Sequence, residues 1–91
     1  MLRVQVISPE RVLYEGEATA LVAPAHDGQV GILTGHAPMM TLLGRGALRL
    51  DGGASGSRTF DVEGGFLQVV DDQVRVVTER AAEAGGAGAA R

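Results

Sequence analysis

Two histidines, three serines and one adjacent pair of aspartates are the side chains whose types and spacing come closest to chemistry. His26, Asp27 and His36 offer three groups of metal-binding type, but their spacing matches neither H-E-x-x-H nor a clustered Cys/His zinc pattern. Asp27-Gly28 reads more simply as a turn, with the aspartate bonding its own backbone. A nucleophilic triad needs a hydroxyl, a histidine base and an orienting carboxylate held together. Ser8, Ser55 and Ser57 stand in no G-x-S-x-G elbow, and the last two lie in a Gly/Ser/Ala loop that cannot hold a reacting group still. Asp71 and Asp72 are neighbours in a turn, where side chains diverge. Gly44-Arg45-Gly46 lacks the strand–turn–helix setting of a phosphate cradle. The expectation is a non-catalytic chain with no metal and no cofactor.

Composition narrows the partners. The chain has 91 residues, of which 45% are hydrophobic and 21% charged, so it is one folded domain at most. The absence of cysteine removes disulfides, thiolate chemistry and iron–sulfur clusters. All eight basic residues are Arg, which removes Lys-based chemistry as well. A net charge of −3 and 3% aromatics disfavour nucleic acid; Arg45, Arg49 and Arg58 could form a modest basic stripe near one hairpin but read more simply as an ordinary solvated sheet face. No segment has the continuous apolar length of a membrane span, and the alternating start is unlike a secretory signal, so a cytoplasmic chain without direct membrane insertion is expected.

The elements that must position these residues read as strands. Leu2–Ile7, Arg11–Tyr14, Glu17–Ala23, Val30–Leu33, Met39–Leu43, Ala47–Asp51, Arg58–Glu63, Phe66–Val70 and Gln73–Glu79 are extended or alternating. Ser8-Pro9-Glu10, Ala23-Pro24, Ala25–Gly28, Thr34–Pro38, Gly44–Gly46 and the loop 52–57 punctuate them. Gly64-Gly65 predicts a bulge or tight bend, and Asp71-Asp72 a hairpin turn. The pattern predicts an all-β fold of about ten strands, a sandwich or flattened barrel over residues 1–80. A flexible tail is expected over 81–91, with one helical turn at Ala81–Ala84. Met39 and Met40 cannot both enter one core layer if extended, so one of them is expected at the surface.

Gly28-Gln29-Val30-Gly31-Ile32-Leu33-Thr34-Gly35-His36-Ala37-Pro38-Met39-Met40-Thr41 resembles the signature of the epsilon subunit of F-type ATP synthases. Val4–Glu10 is similar to that family's opening strand, Val62–Val69 to its second glycine signature, and Val74–Val77 to the strand that follows. The resemblance runs collinearly over roughly residues 2–80. It implies a β-sandwich of about ten strands and a non-catalytic central-stalk subunit. Its partners would be the gamma subunit and the ring of c subunits, and it would couple proton-driven rotation to ATP synthesis. It also implies a peripheral place on the cytoplasmic face of the bacterial inner membrane. By position, Ser8, His36, Met40 and Thr41 fall where the family faces gamma. Asp27, Gly28, Gln29 and Val30 fall in the turn that meets the c ring, with Gln29 where many members carry an acid. Few residues follow the last strand, so neither the family's inhibitory helical hairpin nor ATP binding is expected. The competing expectation is a free-standing sandwich that binds a small ligand in a closed cavity. An exposed apolar face would instead favour the stalk subunit, and would let the isolated chain self-associate.

Overall fold

A computed structural model describes residues 1–53 and 56–84. Eight strands occur among them: β1 (Leu2–Ile7), β2 (Val12–Ala18), β3 (Ala20–Ala25), β4 (Gly28–Leu33), β5 (Met39–Leu42), β6 (Arg45–Gly53), β7 (Gly56–Val70) and β8 (Gln73–Ala84). The hydrogen-bonded order is β2-β1-β8-β7-β6-β3-β4, with β5 paired to β7. Every pairing is antiparallel except β1 with β8, which is parallel.

The all-β expectation holds, and the strand count differs for a physical reason. β7 pairs with β6 over its first half and with β5 over its second, while β8 stays beside it from Thr59 to Val70. The change of partner falls at Gly64 and Gly65, whose φ angles are 74° and 101°. Only glycine takes such angles without strain, so the bend is built where the sequence places the pair. Each of the two long strands therefore serves both layers, and eight strands do what about ten shorter ones were expected to do.

One layer is β5-β7-β8-β1-β2 and the other β4-β3-β6-β7-β8. Leu2, Val4, Val6, Leu67, Val69, Val74 and Val76 line the inner face of the first. Leu21, Ala23, Ile32, Leu48, Leu50, Phe60 and Val62 line that of the second. All fourteen are buried, each worth roughly 1.5–3 kcal/mol of transfer free energy for the larger aliphatic and aromatic side chains. Tyr14 meets Phe60 edge-on, with centroids 6.3 Å apart, and the Arg58 guanidinium lies 5.4 Å from the Tyr14 centroid. Arg58 is also bonded to Glu83 at 2.7 Å and stands opposite Leu50, whereas Arg49 points to the other side of the sheet. The three arginines therefore do not line up as a stripe, in keeping with the reading of them as parts of ordinary sheet faces.

Four local expectations are corrected. Ala81–Ala84 does not make a helical turn; it extends β8, with Ala81 and Ala82 opposite Val62 and Asp61. Pairing to an existing strand outweighs the modest helix propensity of four residues. The sandwich thus continues four residues past position 80, and residues 85–91, expected as a tail, lie outside the described residues. β3 runs through Pro24 to Ala25, because its pairing with β6 has already ended at Val22–Arg49 and no bond to β6 is lost at the proline. Arg45 and Gly46 belong to β6 rather than to a turn. Ser55, in the expected 52–57 loop, lies outside the described residues.

Near that loop, Asp51 accepts from the Ser57 hydroxyl at 2.8 Å and from Arg49 Nε at 3.0 Å. These bonds, Ser57 first, hold its carboxyl below the ordinary value of 3.8. The folded value is thus the lower one. Its stabilising contribution is present above the unfolded pKa and is lost as pH falls through the folded pKa. Replacement of Ser57 by Ala is expected to move the Asp51 midpoint up toward 3.8 in a carboxyl NMR titration. An unmoved midpoint would reject the serine as the main cause.

Candidate functional site

The first layer turns a second face outward, and strand register fixes what it carries. Along each strand alternate residues point away from the core, so cross-strand partners line up in rows. One row is Leu42, Phe66, Val77, Ile7 and Val12, one residue from each of β5, β7, β8, β1 and β2. It is apolar from end to end. Four gaps between strands make it about 19 Å long. Leu42 is 61% exposed and Val12 52%, while Ile7, Phe66 and Val77 are half-buried by their neighbours. The next row is Met40, Gln68, Arg75, Gln5 and Glu15, and the third holds Val70, Gln73, Arg3 and Glu17.

The residues expected to face gamma sit on or beside this surface, in different ways. Met40 is 63% exposed at the β5 end of the second row, while Met39 packs on the core, as their alternation requires. Thr41 shares the inner side of β5 with Met39, opposite Leu67. Ser8 follows Ile7 and is buried; its amide and hydroxyl both donate to Arg11 O, at 2.9 and 3.2 Å, which fixes the turn between β1 and β2. His36 is half-buried, with Nδ1 2.8 Å from Ala37 O and its amide donating to Leu33 O.

The loop carrying His36 is tied down from an unexpected place. Asp71 and Asp72 form the β7–β8 turn with φ of 51° and 62°, the two-residue type I′ geometry. There Asp72 Oδ1 accepts from the Gly35 amide at 2.7 Å, and Asp72 O accepts from the Arg3 amide at 2.8 Å. One turn residue so connects the loop after β4, the start of β1 and the β7–β8 hairpin. Asp72→Gly keeps the left-handed turn but removes the acceptor. Its expected result is faster amide exchange at Gly35, roughly tenfold, with Asp72→Asn near wild type. Equal exchange in all three chains would dismiss the tie.

Asp27, Gly28 and Gln29 are exposed at the β3–β4 turn, with Val30 half-buried behind them. The His26 amide donates to Leu42 O at 3.1 Å, so this turn adjoins the β5 end of the apolar row. His26 and Asp27 lie in that turn and His36 at the opposite end of β4, which does not bring the three together. Grooves on the described surface are open; one is lined by the polar side chains of Arg3, Gln5, Glu15, Gln68, Gln73 and Arg75 together with Val70 and Val74. The space between the layers is filled by the core side chains.

The apolar row was missed from sequence because Ile7, Val12, Phe66 and Val77 lie in strands with apolar residues on both faces. Alternation there does not say which face is inward. The pairing of Ile7 with Val77, which continues the row across two distant segments, has no local signal.

Comparison with known proteins agrees with the architecture. Residues 1–84 match the family model "ATP synthase, Delta/Epsilon chain, beta-sandwich domain". The ATP synthase epsilon chain of Leptospira borgpetersenii serovar Hardjo-bovis is 44% identical over 81 residues, 89% of this chain and 63% of that one. The chain thus spans less than two thirds of the length of that relative. The epsilon chain of Caulobacter vibrioides is 37% identical over 83 residues, which covers 91% of this chain and 95% of that one. A chain of the Euglena gracilis mitochondrial ATP synthase, in its OSCP/F1/c-ring structure, superposes with a TM-score of 0.81 at 21% identity. The match covers 90% of this chain and 52% of that one, and shows a shared fold. On its sequence from residue 1 to 84, the chain belongs to the ATP synthase delta/epsilon family, as the β-sandwich domain.

Proposed function

We propose that this chain is a non-catalytic subunit of the central stalk of an F-type ATP synthase, the epsilon subunit. It binds gamma along the outer face of the first layer and the c ring at the β3–β4 turn. In that place it rotates with both partners and couples proton-driven rotation to ATP synthesis, held peripherally at the cytoplasmic face of a bacterial inner membrane. Family membership supports the reading, and one observation carries the assignment of the face: an uninterrupted apolar row across five strands, exposed at both ends. A contiguous apolar strip on a small domain marks a protein contact.

The task asks for shape and stiffness rather than chemistry. The row supplies apolar area to gamma. Met40 borders it, and Ser8, Thr41 and His36 hold its edges in place: Ser8 the β1–β2 turn, Thr41 the inner side of β5, and His36 the loop before β5. Asp27, Gly28, Gln29 and Val30 form the contact at one end of the row, so ring and gamma meet adjoining surfaces. Backbone pairing runs unbroken from that turn through β3, β6 and β7 to the gamma-facing layer. A push at the ring end is therefore borne by hydrogen-bonded strands, not by a loop.

Size-exclusion chromatography with light scattering, on this chain mixed with gamma from the same source, tests the reading. A one-to-one complex is expected. Two separate peaks, with both proteins folded, would remove the stalk function and leave the family fold.

A further inference from the structure

We propose that the gamma segment bound by this face carries carboxylates beside its apolar side chains, and that Arg75 receives one of them. The inference rests on the stalk reading and adds the chemistry of the partner. The chain as a whole is acidic, with a net charge of −3. Its outer face nevertheless holds an exposed guanidinium near the centre. Arg75 lies in the row next to the apolar one, between Gln68 on β7 and Gln5 on β1. Its same-face neighbours along β8 are Gln73 and Val77, and on the flanking strands Phe66, Val70, Ile7 and Arg3. None of these is a carboxylate, and one is a second cation.

Acids on the same face lie farther off, on edge strand β2. Glu15 is engaged by Gln5 Nε2 at 3.1 Å, and Glu17 stands opposite Arg3 in the register without meeting it at ion-pair distance. The ion pairs among the described residues are Arg49–Asp51 and Arg58–Glu83, both in the other layer. Arg75 therefore has no carboxylate partner among the described residues. A partner that covers the apolar row also covers Arg75, because the two rows are only about 7 Å apart along the strands. A guanidinium so covered without an anion would be left desolvated and unpaired, which interfaces avoid. The neighbouring Gln68 amide suits the same role, since amide and guanidinium donors can both point at one carboxylate.

The test uses the full chain and purified gamma, with affinity measured by calorimetry at about 50 and about 500 mM NaCl. Wild-type affinity is expected to fall about tenfold between the two salts. Arg75→Gln is expected to lose about tenfold at low salt and to bind with little salt dependence. Arg75→Lys recovers part of the loss, since it keeps the charge and not the fork. Thermal melts within a few degrees of wild type show that folding is unchanged, as befits an exposed side chain. Wild-type affinity and salt slope in Arg75→Gln would overturn the inference and leave the stalk reading intact. A wild-type chain that does not bind gamma at either salt would overturn both. An Arg75-dependent homodimer of the chain, seen by light scattering in the same samples, would reassign the guanidinium to a second copy and overturn the gamma assignment.

Discussion

Leu42→Glu is expected to weaken the complex with gamma by at least about thirtyfold and to leave the melting temperature within a few degrees of wild type. In the free chain Leu42 is 61% exposed, so a carboxylate there stays in water, and surface changes of this kind alter stability by about 0.5 kcal/mol or less. In the proposed complex the same position would be covered by apolar surface of gamma. A carboxylate forced into that setting without a cation costs about 2–5 kcal/mol, which raises Kd between about thirty- and several-thousand-fold. Met40→Glu is the informative contrast. Met40 is as exposed, but its row continues through Gln68 to Arg75, and the new charge has polar neighbours. Its loss is expected to be smaller. Light scattering with gamma and a melt of each variant separate the outcomes. An unfolded Leu42→Glu would place Leu42 in the core, and an intact complex would move gamma to another face.

The largest expected loss of stability is at Gly65. Its φ of 101° already penalises any side chain, by about 1–3 kcal/mol. A Cβ there would also overlap Val77 O and come within 2.7 Å of Thr78 Cα. Those are backbone atoms of β8, and Thr78 is buried and paired directly with Gly65, so they cannot step aside. Gly65→Ala is expected to destabilise by at least about 3 kcal/mol, lowering the melting temperature by about 15 °C in a domain of this size. Gly64→Ala meets chiefly the flexible Glu79 side chain and loses less. Gly31→Ala meets nothing within 4 Å and is expected to be neutral. A Gly65→Ala chain that melts with wild type would mean that the bend tolerates a side chain and that β8 yields.

Much of this architecture was legible because its signals are local. Alternation marked the strands, Gly64-Gly65 marked the bend, Asp71-Asp72 marked the hairpin, and the adjacent methionines divided themselves between core and surface. What was not legible depends on distant pairing. Ala81–Ala84 has the composition of a helical turn and becomes strand only because Thr59–Val62 offers an edge. The apolar row joins β5, β7, β8, β1 and β2, and none of its members is unusual within its own segment. Asp72 reads as turn chemistry, and its bond to Gly35 spans 37 positions of chain. Of the residues carried over by resemblance, Met40 presents its side chain outward, whereas Ser8 and Thr41 shape the surface from beneath.

The parallel pairing of β1 with β8 has a consequence for biosynthesis. Leu2–Ile7 leaves the ribosome before the other strands of the sandwich, and its inner face then has only β2 for company. Its other edge waits for Gln73–Val77, the beginning of the last strand. A hairpin alone is marginal in water, so the nascent domain holds Leu2, Val4 and Val6 without a finished core until β8 has been made. Folding of this domain is then a late, nearly all-or-none event, and a chain cut short ahead of Gln73 yields no smaller stable domain but a segment exposed to proteases.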